Sequence, residues 1–262
     1  VILVTGAWLC PQWGCDGLAP LSLHPLLPKP RIAMSNKLMV GIAVAVVGFV
    51  IPAPAANLIV NPGAEAGSGS DIYSVVTVPG WTVNGNFTAV QYGSAGDIPT
   101  LTDPGPPDRG MNFFAGGPSI GYSSGSQVID LSPFAADIDA GIAGFVLSGY
   151  FGGWQGQNDN AVLTVSFVDG IGGVLGSAWI GRVSASDRGS ATGLLLRDTS
   201  GLVPVGSRTV DLLLEMTRTD GSNNDGYADN LFFEITPVPE PSGSVILGAI
   251  GLLAYGAMRR RT

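Results

Sequence analysis

The middle of the chain alternates apolar and polar residues with a period of two. The alternation is clearest in residues 163–167, 210–216 and 231–235. Because successive side chains of a β-strand point to opposite faces of a sheet, each segment predicts a strand with one buried face. Clusters of glycine and proline separate these segments, and no long stretch combines helical periodicity with capping residues. Residues 57–236 are therefore predicted to form a single all-β domain, a β-sandwich of the jelly-roll type, with a closed barrel as the alternative.

Two strongly apolar segments flank this domain. The first follows Met34 and Lys37, runs from Leu38–Ile51 and ends in small residues. Because it is shorter than the roughly 20 residues of a membrane-spanning helix, residues 34–56 are predicted to be a secretory signal peptide that forms a short helix. Residues 1–33 precede this signal with five prolines and no periodicity. They are predicted to be a mis-started or disordered leader.

The second apolar segment, residues 245–258, lies in a tail with a characteristic order of features. A Pro-Glu-Pro motif precedes the apolar run, and three arginines follow it. This order predicts a short membrane-inserted helix that is held by a cytoplasmic cluster of positive charge. Residues 237–262 resemble the PEP-CTERM sorting signal, which implies export across the inner membrane, recognition by an exosortase and removal of the tail. A permanent anchor is the alternative. The sorting-signal residues are Pro239, Glu240, Pro241, Arg259, Arg260 and Arg261.

The composition of the central domain excludes several kinds of chemistry. Residues 57–236 contain 18 acidic residues, six arginines and no lysine, which gives a net charge of −12. Such a surface repels phosphate backbones, so nucleic-acid binding is not expected. Every cysteine and histidine of the chain lies before Met34. The predicted mature domain therefore has no thiol nucleophile, imidazole base, disulfide or usual zinc site.

Four short motifs of the central domain resemble those of galactose-binding-like jelly rolls. They are residues 57–65 (NLIVNPGAE), 78–83 (VPGWTV), 126–131 (SQVIDL) and 226–231 (GYADNL). The nearest patterns are those of DUF642-type cell-wall proteins and of carbohydrate-binding modules. The resemblance implies a galactose-binding-like β-sandwich that acts at the cell surface.

In modules of this type a calcium ion often ties the first turn to the last strand, so the resemblance implies Glu65 and Asp229 as its ligands. Calcium prefers six to eight hard oxygen ligands, and the loop 220–230 is rich in such groups. This sequence departs from the usual pattern at Ala64, where an aromatic residue is common, and at Asn230, where a second aspartate is common. The alternative is a set of hydrogen-bonded turn residues without a metal.

The segment 150–160 has the composition of a sugar-binding loop. A pyranose packs its apolar face on an aromatic ring, while amides and carboxylates bind its hydroxyls. We therefore predict that Trp154, Gln157, Asn158 and Asp159 bind carbohydrate. The alternative is that Trp154 caps the core and its polar neighbours only form a turn. The other aromatic residues considered are Tyr92 and Tyr122, as weaker binding candidates, and Trp81 and Trp179, as core residues.

The carboxylates of the domain give little support to catalysis. Asp211 and Glu215 share a strand face, as a glycosidase pair would, but they also match the solvated side of a half-buried strand. The sequence therefore predicts an exported, non-catalytic protein of the cell surface or extracellular matrix that binds exopolysaccharide. The alternatives are a structural or adhesion protein that binds no glycan and, more remotely, a polysaccharide hydrolase.

Overall fold

The computed structural model describes residues 56–96 and 98–238. The predicted leader and sorting-signal residues, and all of the predicted signal peptide except Ala56, lie outside these ranges. No helix within the described ranges is long and apolar enough to cross a membrane. The strands are β1 (Thr82–Asn84), β2 (Thr88–Gln91), β3 (Asn112–Gly117), β4 (Tyr122–Asp130), β5 (Ala143–Gly153), β6 (Asn160–Asp169), β7 (Val174–Gly181), β8 (Gly193–Leu202), β9 (Ser207–Thr217) and β10 (Asn224–Pro237).

The strands form two five-stranded antiparallel sheets. Sheet 1 has the order β1-β4-β9-β6-β7, and sheet 2 has the order β2-β3-β10-β5-β8. A single turn of 3-10 helix (Ser132–Phe134) and a short helix α1 (Ala135–Asp139) connect β4 to β5. The prediction of an all-β sandwich is thus confirmed. Each sheet keeps two edge strands, so the alternative of a closed barrel is wrong for the described residues.

The chain passes from one sheet to the other at most of its connections. Only β2–β3 and β6–β7 are consecutive strands within one sheet. Strands that are distant in sequence therefore become neighbours, and β10 pairs with both β3 and β5. This crossing pattern is typical of a jelly roll. It brings the loops that follow β5 and β9 to the same end of the sandwich as the start of β10.

The main core fills the space between the two sheets. Trp81 is 8% exposed and packs edge-on against Phe114, with ring centroids 5.1 Å apart, as expected for a core residue. The expectation for Trp179 is wrong, because its side chain is 58% exposed. Trp179 lies on the edge strand β7, where Ala178 and Ile180 face the core and the residue between them must face outward.

A second, smaller apolar cluster covers part of the outer face of sheet 2. In β3, Phe114 belongs to the main core, whereas its neighbours Phe113 and Ala115 belong to this second cluster. Because neighbouring residues of a strand face opposite sides, the second cluster lies on the side of sheet 2 that faces away from sheet 1. Its buried members are Tyr73, Val90, Tyr92, Ile98, Phe113, Ala115, Leu194 and Tyr227, with Tyr150 and Trp154 packed against them.

Candidate carbohydrate-binding site

A cavity of about 220 Å³ opens beside the second cluster. Its wall combines two aromatic rings with amide, hydroxyl and carboxylate groups, and the lining residues come from four separate parts of the chain. This mixture is the one expected of a sugar site, where a few placed polar groups stand among apolar surface. The lining residues are Tyr73, Gly96, Ile98, Trp154, Gln157, Gly221, Ser222, Asn223 and Asp225.

Trp154 and Gln157 reach the cavity through a tight turn after β5. The amide of Gln157 donates to the carbonyl of Trp154 at 3.1 Å, and Gln155 between them has a positive φ of 38°. The indole Nε1 of Trp154 and the amide Oε1 of Gln157 are shielded from solvent and have no hydrogen-bond partner among the described residues. Buried polar atoms are usually paired, so an enclosed water or a small rearrangement of the turn is expected to satisfy these two.

Arg188 holds this turn in place, a role that nothing in the sequence indicates. Its buried guanidinium donates from Nη1 to the carbonyl of Gln155 at 3.0 Å and to the carbonyl of Ala191. It also donates from Nη2 to the carbonyl of Gln157 at 2.8 Å. Burial lowers the pKa of Arg188 from its ordinary value. The side chain therefore positions the turn from beneath.

Asp159 is fully buried and holds a second loop against the site. Its Oδ1 accepts hydrogen bonds from the amide of Thr219 at 2.6 Å and the amide of Asp220 at 3.0 Å, and its Oδ2 accepts one from the amide of Asp225 at 2.9 Å. A carboxylate enclosed in this way is not accessible to sugar. The structure thus assigns Asp159 a positioning role in place of the sugar contact predicted from the sequence.

Asn158 also serves the loops more than the cavity. Its side chain is exposed, but Oδ1 accepts a hydrogen bond from the amide of Ala185 at 3.0 Å, and the residue does not line the cavity. Of the four predicted sugar-binding residues, the structure brings Trp154 and Gln157 to the cavity wall. Asn158 is exposed outside the cavity, and Asp159 is buried.

Tyr73 and Asp225, which the sequence did not single out for sugar binding, also line the cavity. The hydroxyl of Tyr227 donates to Oδ1 of Asp225 at 2.9 Å, and the hydroxyl of Tyr73 donates to the carbonyl of Asn224 at 2.8 Å. Burial raises the pKa of Asp225, an effect that the hydrogen bond from Tyr227 opposes. Burial and the nearby Asp225 carboxylate raise the pKa of Tyr73 well above its ordinary value, so its phenol stays neutral.

The weaker candidates, Tyr92 and Tyr122, lie away from the cavity. Tyr92 is buried and donates to Oδ2 of Asp229 at 2.7 Å, and burial raises its pKa above the ordinary value. Tyr122 is exposed on sheet 1 and donates to Oε1 of Glu215 at 2.9 Å. Asp211 also faces outward on sheet 1, so the carboxylate pair considered for catalysis lies on the opposite sheet from the cavity.

Glu65 and Asp229, the calcium candidates, approach each other around Gly63. A Cβ atom on Gly63 would lie 3.3 Å from Oδ1 of Asp229 and 3.8 Å from Cγ of Glu65. Their oxygens already accept hydrogen bonds, Glu65 from the amide of Asn112 at 2.8 Å and Asp229 from Tyr92. The described ranges hold no group of three or more His, Cys, Asp or Glu residues able to hold a metal ion. A calcium ion here would need most of its ligands from carbonyl and amide oxygens, so the donor set fits calcium only in part.

A wider, shallower depression of about 420 Å³ lies further along sheet 2. Tyr150 and Phe232 contribute aromatic surface to it, and Asn230 donates from Nδ2 to Oδ1 of Asp108 at 2.8 Å at its rim. Tyr150 precedes Trp154 by four residues, and its ring also packs against the second cluster. The outer face of sheet 2 thus carries two aromatic and polar depressions near one another.

Comparison with solved structures finds β-sandwich carbohydrate-binding modules. A family 16 carbohydrate-binding module has 18% identity and a TM-score of 0.41, with 68% of this chain and 99% of the module covered. The CBM22-1 xylan-binding domain of a Paenibacillus barcinonensis protein has 18% identity and a TM-score of 0.34, with 64% and 92% covered. The enzymatically active domain of tailspike protein 4 of bacteriophage CBA120 has 13% identity and a TM-score of 0.41, with 69% of this chain covered.

This chain spans 21% of the tailspike chain, so only a part of that protein is similar to it. No family model matches the sequence, and no curated protein matches it. These structural similarities are too distant to indicate what the chain binds. The function must be argued from the site itself.

Proposed function

We propose that residues 57–236 form the carbohydrate-binding domain of an exported, non-catalytic protein, and that an extracellular polysaccharide binds at the Trp154 cavity. The observation that carries this proposal is the lining of that cavity, where the aromatic side chains of Tyr73 and Trp154 stand beside the polar side chains of Gln157 and Asp225. A sugar hydroxyl is both a donor and an acceptor, so the amide and carboxylate groups of this lining suit it.

The remaining cavity groups suit the rest of a sugar ring. The rings of Trp154 and Tyr73 offer apolar surface to the face of a pyranose, and the carboxylate of Asp225 can accept from its hydroxyls. Arg188 and Asp159 already fix the loops that carry these groups. Such preorganisation lowers the entropy lost on binding. The depression at Tyr150 would extend the contact to neighbouring sugars of a polymer.

The proposed location rests on the two ends of the chain. The signal peptide at 34–56 and the PEP-CTERM-like tail at 237–262 would direct export across the inner membrane and engage an exosortase, leaving the domain at the cell surface or in the matrix. Replacing Arg259, Arg260 and Arg261 with alanine should leave an unprocessed precursor in the producing cell. Size analysis of the secreted and membrane fractions would measure this, and unchanged processing would contradict the sorting proposal.

Glycan binding is tested by calorimetric titration of the full chain in a detergent without a sugar headgroup. The panel of polysaccharides should include the matrix polysaccharide of the producing cell. Trp154→Ala should weaken binding by tenfold or more, on the order of 1.4 kcal/mol or above. Trp179→Ala is the matched control, because it removes an exposed tryptophan from sheet 1 and should leave the affinity unchanged.

Absence of binding to every glycan would overturn the proposal. Equal affinity of the parent and the Trp154→Ala variant would move the site elsewhere. The structural or adhesion role is the second candidate, and the partial burial of Trp154 against the second cluster favours it. In that case Trp154→Ala would lower the free energy of unfolding while no glycan bound to the parent chain.

A structural calcium ion held by Glu65 and Asp229 is a separate part of the proposal. If calcium binds there, its removal with a chelator should lower the melting temperature of the full chain. Glu65→Gln should make the melting temperature insensitive to the chelator. A parent chain that melts identically in calcium and in chelator would refute the ion without affecting the sugar site.

A further inference from the structure

Exposed apolar side chains gather at the end of the sandwich opposite the sugar cavity. The most exposed is Ile171, with 95% of its surface accessible at the tip of the β6–β7 turn. Monomeric soluble domains scatter single apolar residues over their surface, whereas a contiguous group marks an interaction site. The members of this end patch are Ile171, Val174, Leu175, Leu202, Val205 and Val238.

Contacts between neighbouring segments make the patch continuous. A Cβ atom on Gly206 would lie 3.7 Å from Leu175, which places the start of β7 against the loop that carries Val205. The strand pairing sets Leu202 opposite Gly144, and a Cβ atom on Gly144 would lie 3.3 Å from Val238. Because the loop that carries Val205 directly follows Leu202, the start of β7, the end of β8 and the end of β10 lie at the same end of the sandwich.

The end patch lies where the chain leaves the domain. The amide of Val238 donates to the carbonyl of Ile142 at 2.7 Å, which fixes the last described residue to this end of sheet 2. The apolar segment 245–258 begins only seven residues later. A fully extended chain of that length spans about 25 Å. Whatever surface holds the apolar segment must therefore lie close to the patch.

We propose that the end patch rests on the surface of the lipid bilayer while the C-terminal segment is inserted in it. This inference depends on the sorting-tail part of the proposed function. The amides of Ile171 and Gly173 donate to Oδ1 of Asp169 at 2.9 and 2.7 Å, so the turn presents Ile171 rigidly. Apolar side chains at a membrane surface can be buried about 5–10 Å deep, at the boundary between the lipid headgroups and the acyl chains. Docking would orient the Trp154 cavity, at the opposite end of the sandwich, away from the membrane.

Charge decides which lipids suit this contact. At the rim, Arg208 and Asp139 form an ion pair with atoms 2.9 Å apart, so this pair adds no net charge. The domain as a whole is strongly acidic, however, and is repelled by anionic headgroups at low salt. The patch is therefore expected to dock on zwitterionic phosphatidylcholine, with weaker docking on vesicles that contain an anionic lipid.

The test compares two exposed isoleucines at opposite ends of the molecule. The full chain, with Cys10→Ser and Cys15→Ser, carries a fluorescent label at Ile171→Cys or at the control position Ile72→Cys. Ile72 is 68% exposed and lies one residue from Tyr73, whose hydroxyl contacts Asn224 at the far end of β10. Phosphatidylcholine vesicles carry a quencher near the headgroup end of the acyl chain. Flotation measures insertion of the tail separately.

Quenching at position 171 should be about threefold or more that at position 72, and Val205→Ser with Val174→Ser should reduce it. Equal quenching at the two positions, in a chain that floats with the vesicles, would overturn docking while leaving tail insertion intact. A chain that does not float would refute the sorting-tail proposal and the docking with it. The emission of the label at position 171 could instead report an apolar environment without any quenching by the lipid. That result would indicate a second copy of the chain on the patch, which also overturns the proposal.

Discussion

Replacement of Asp159 by alanine tests whether this buried carboxylate builds the site by holding a loop. The substitution removes the acceptor for the amides of Thr219, Asp220 and Asp225 and for the hydroxyl of Thr219, which lies 3.1 Å from Oδ1. A fully buried donor left unpaired costs about 1–3 kcal/mol, and the cost is smaller at the exposed residues Thr219 and Asp220. Water entry and movement of the loop recover part of that sum. We therefore expect a loss of roughly 3–5 kcal/mol in the free energy of unfolding.

Thermal and urea unfolding followed by circular dichroism would measure this loss. In a domain of this size the melting temperature should fall by on the order of 10 °C. Asp159→Asn should lose about half as much, because its oxygen can still accept while its amide faces the donor of Asp225. Asp211→Ala, an exposed aspartate on sheet 1, is the control and should change stability by less than about 0.5 kcal/mol.

A loss below about 1 kcal/mol for Asp159→Ala would refute the reasoning, because three backbone amides and one hydroxyl would then have lost a fully buried acceptor at almost no cost. Glycan affinity measured at a temperature where the variant is folded should also fall. The loop that carries Asp225 would then no longer be fixed beside Trp154. An unchanged affinity would show that the loop is not part of the sugar site.

Two further predictions follow from burial. Trp81→Ala should lower the free energy of unfolding in urea by about 3–5 kcal/mol, because this side chain fills the core. Trp179→Ala should lower it by less than about 1 kcal/mol, because that side chain faces solvent. Similar losses for the two variants would contradict this assignment. Burial raises the pKa of Asp229 to about 7, so in chelator the folded state keeps a proton that the unfolded chain has released. Stability should then fall as pH rises from about 4 to about 7, and Asp229→Asn should reduce that slope in urea unfolding.

Local alternation was sufficient to predict three of the ten strands. The segments 163–167, 210–216 and 231–235 lie within β6, β9 and β10, because a strand with one buried face imposes period two on its own residues. The same rule also explains the error at Trp179. An apolar triplet on an edge strand still alternates, so one of its three residues must face outward whatever its hydrophobicity.

The candidate site depended on pairing that no local pattern encodes. Tyr73, Trp154 and Asp225 are separated by about 70 to 80 residues at each step, and they meet because sheet 2 places β10 between β3 and β5. Composition alone could mark 150–160 as rich in aromatic and amide groups. It could not separate the two residues that reach the cavity from Asp159, which is buried behind it, because burial is decided by the loop that packs on top.

The sequence by itself determined the fold class, the absence of thiol and imidazole chemistry after Met34 and the order of the segments along the chain, since these depend on residue type and local spacing. The tertiary structure decided which side chains share a surface. Arg188 beneath the turn of Trp154 and Ile171 at the opposite end carry no recognisable motif. Their positions follow from long-range strand pairing, in which each contact joins residues whose separation along the chain is far greater than any period of a strand.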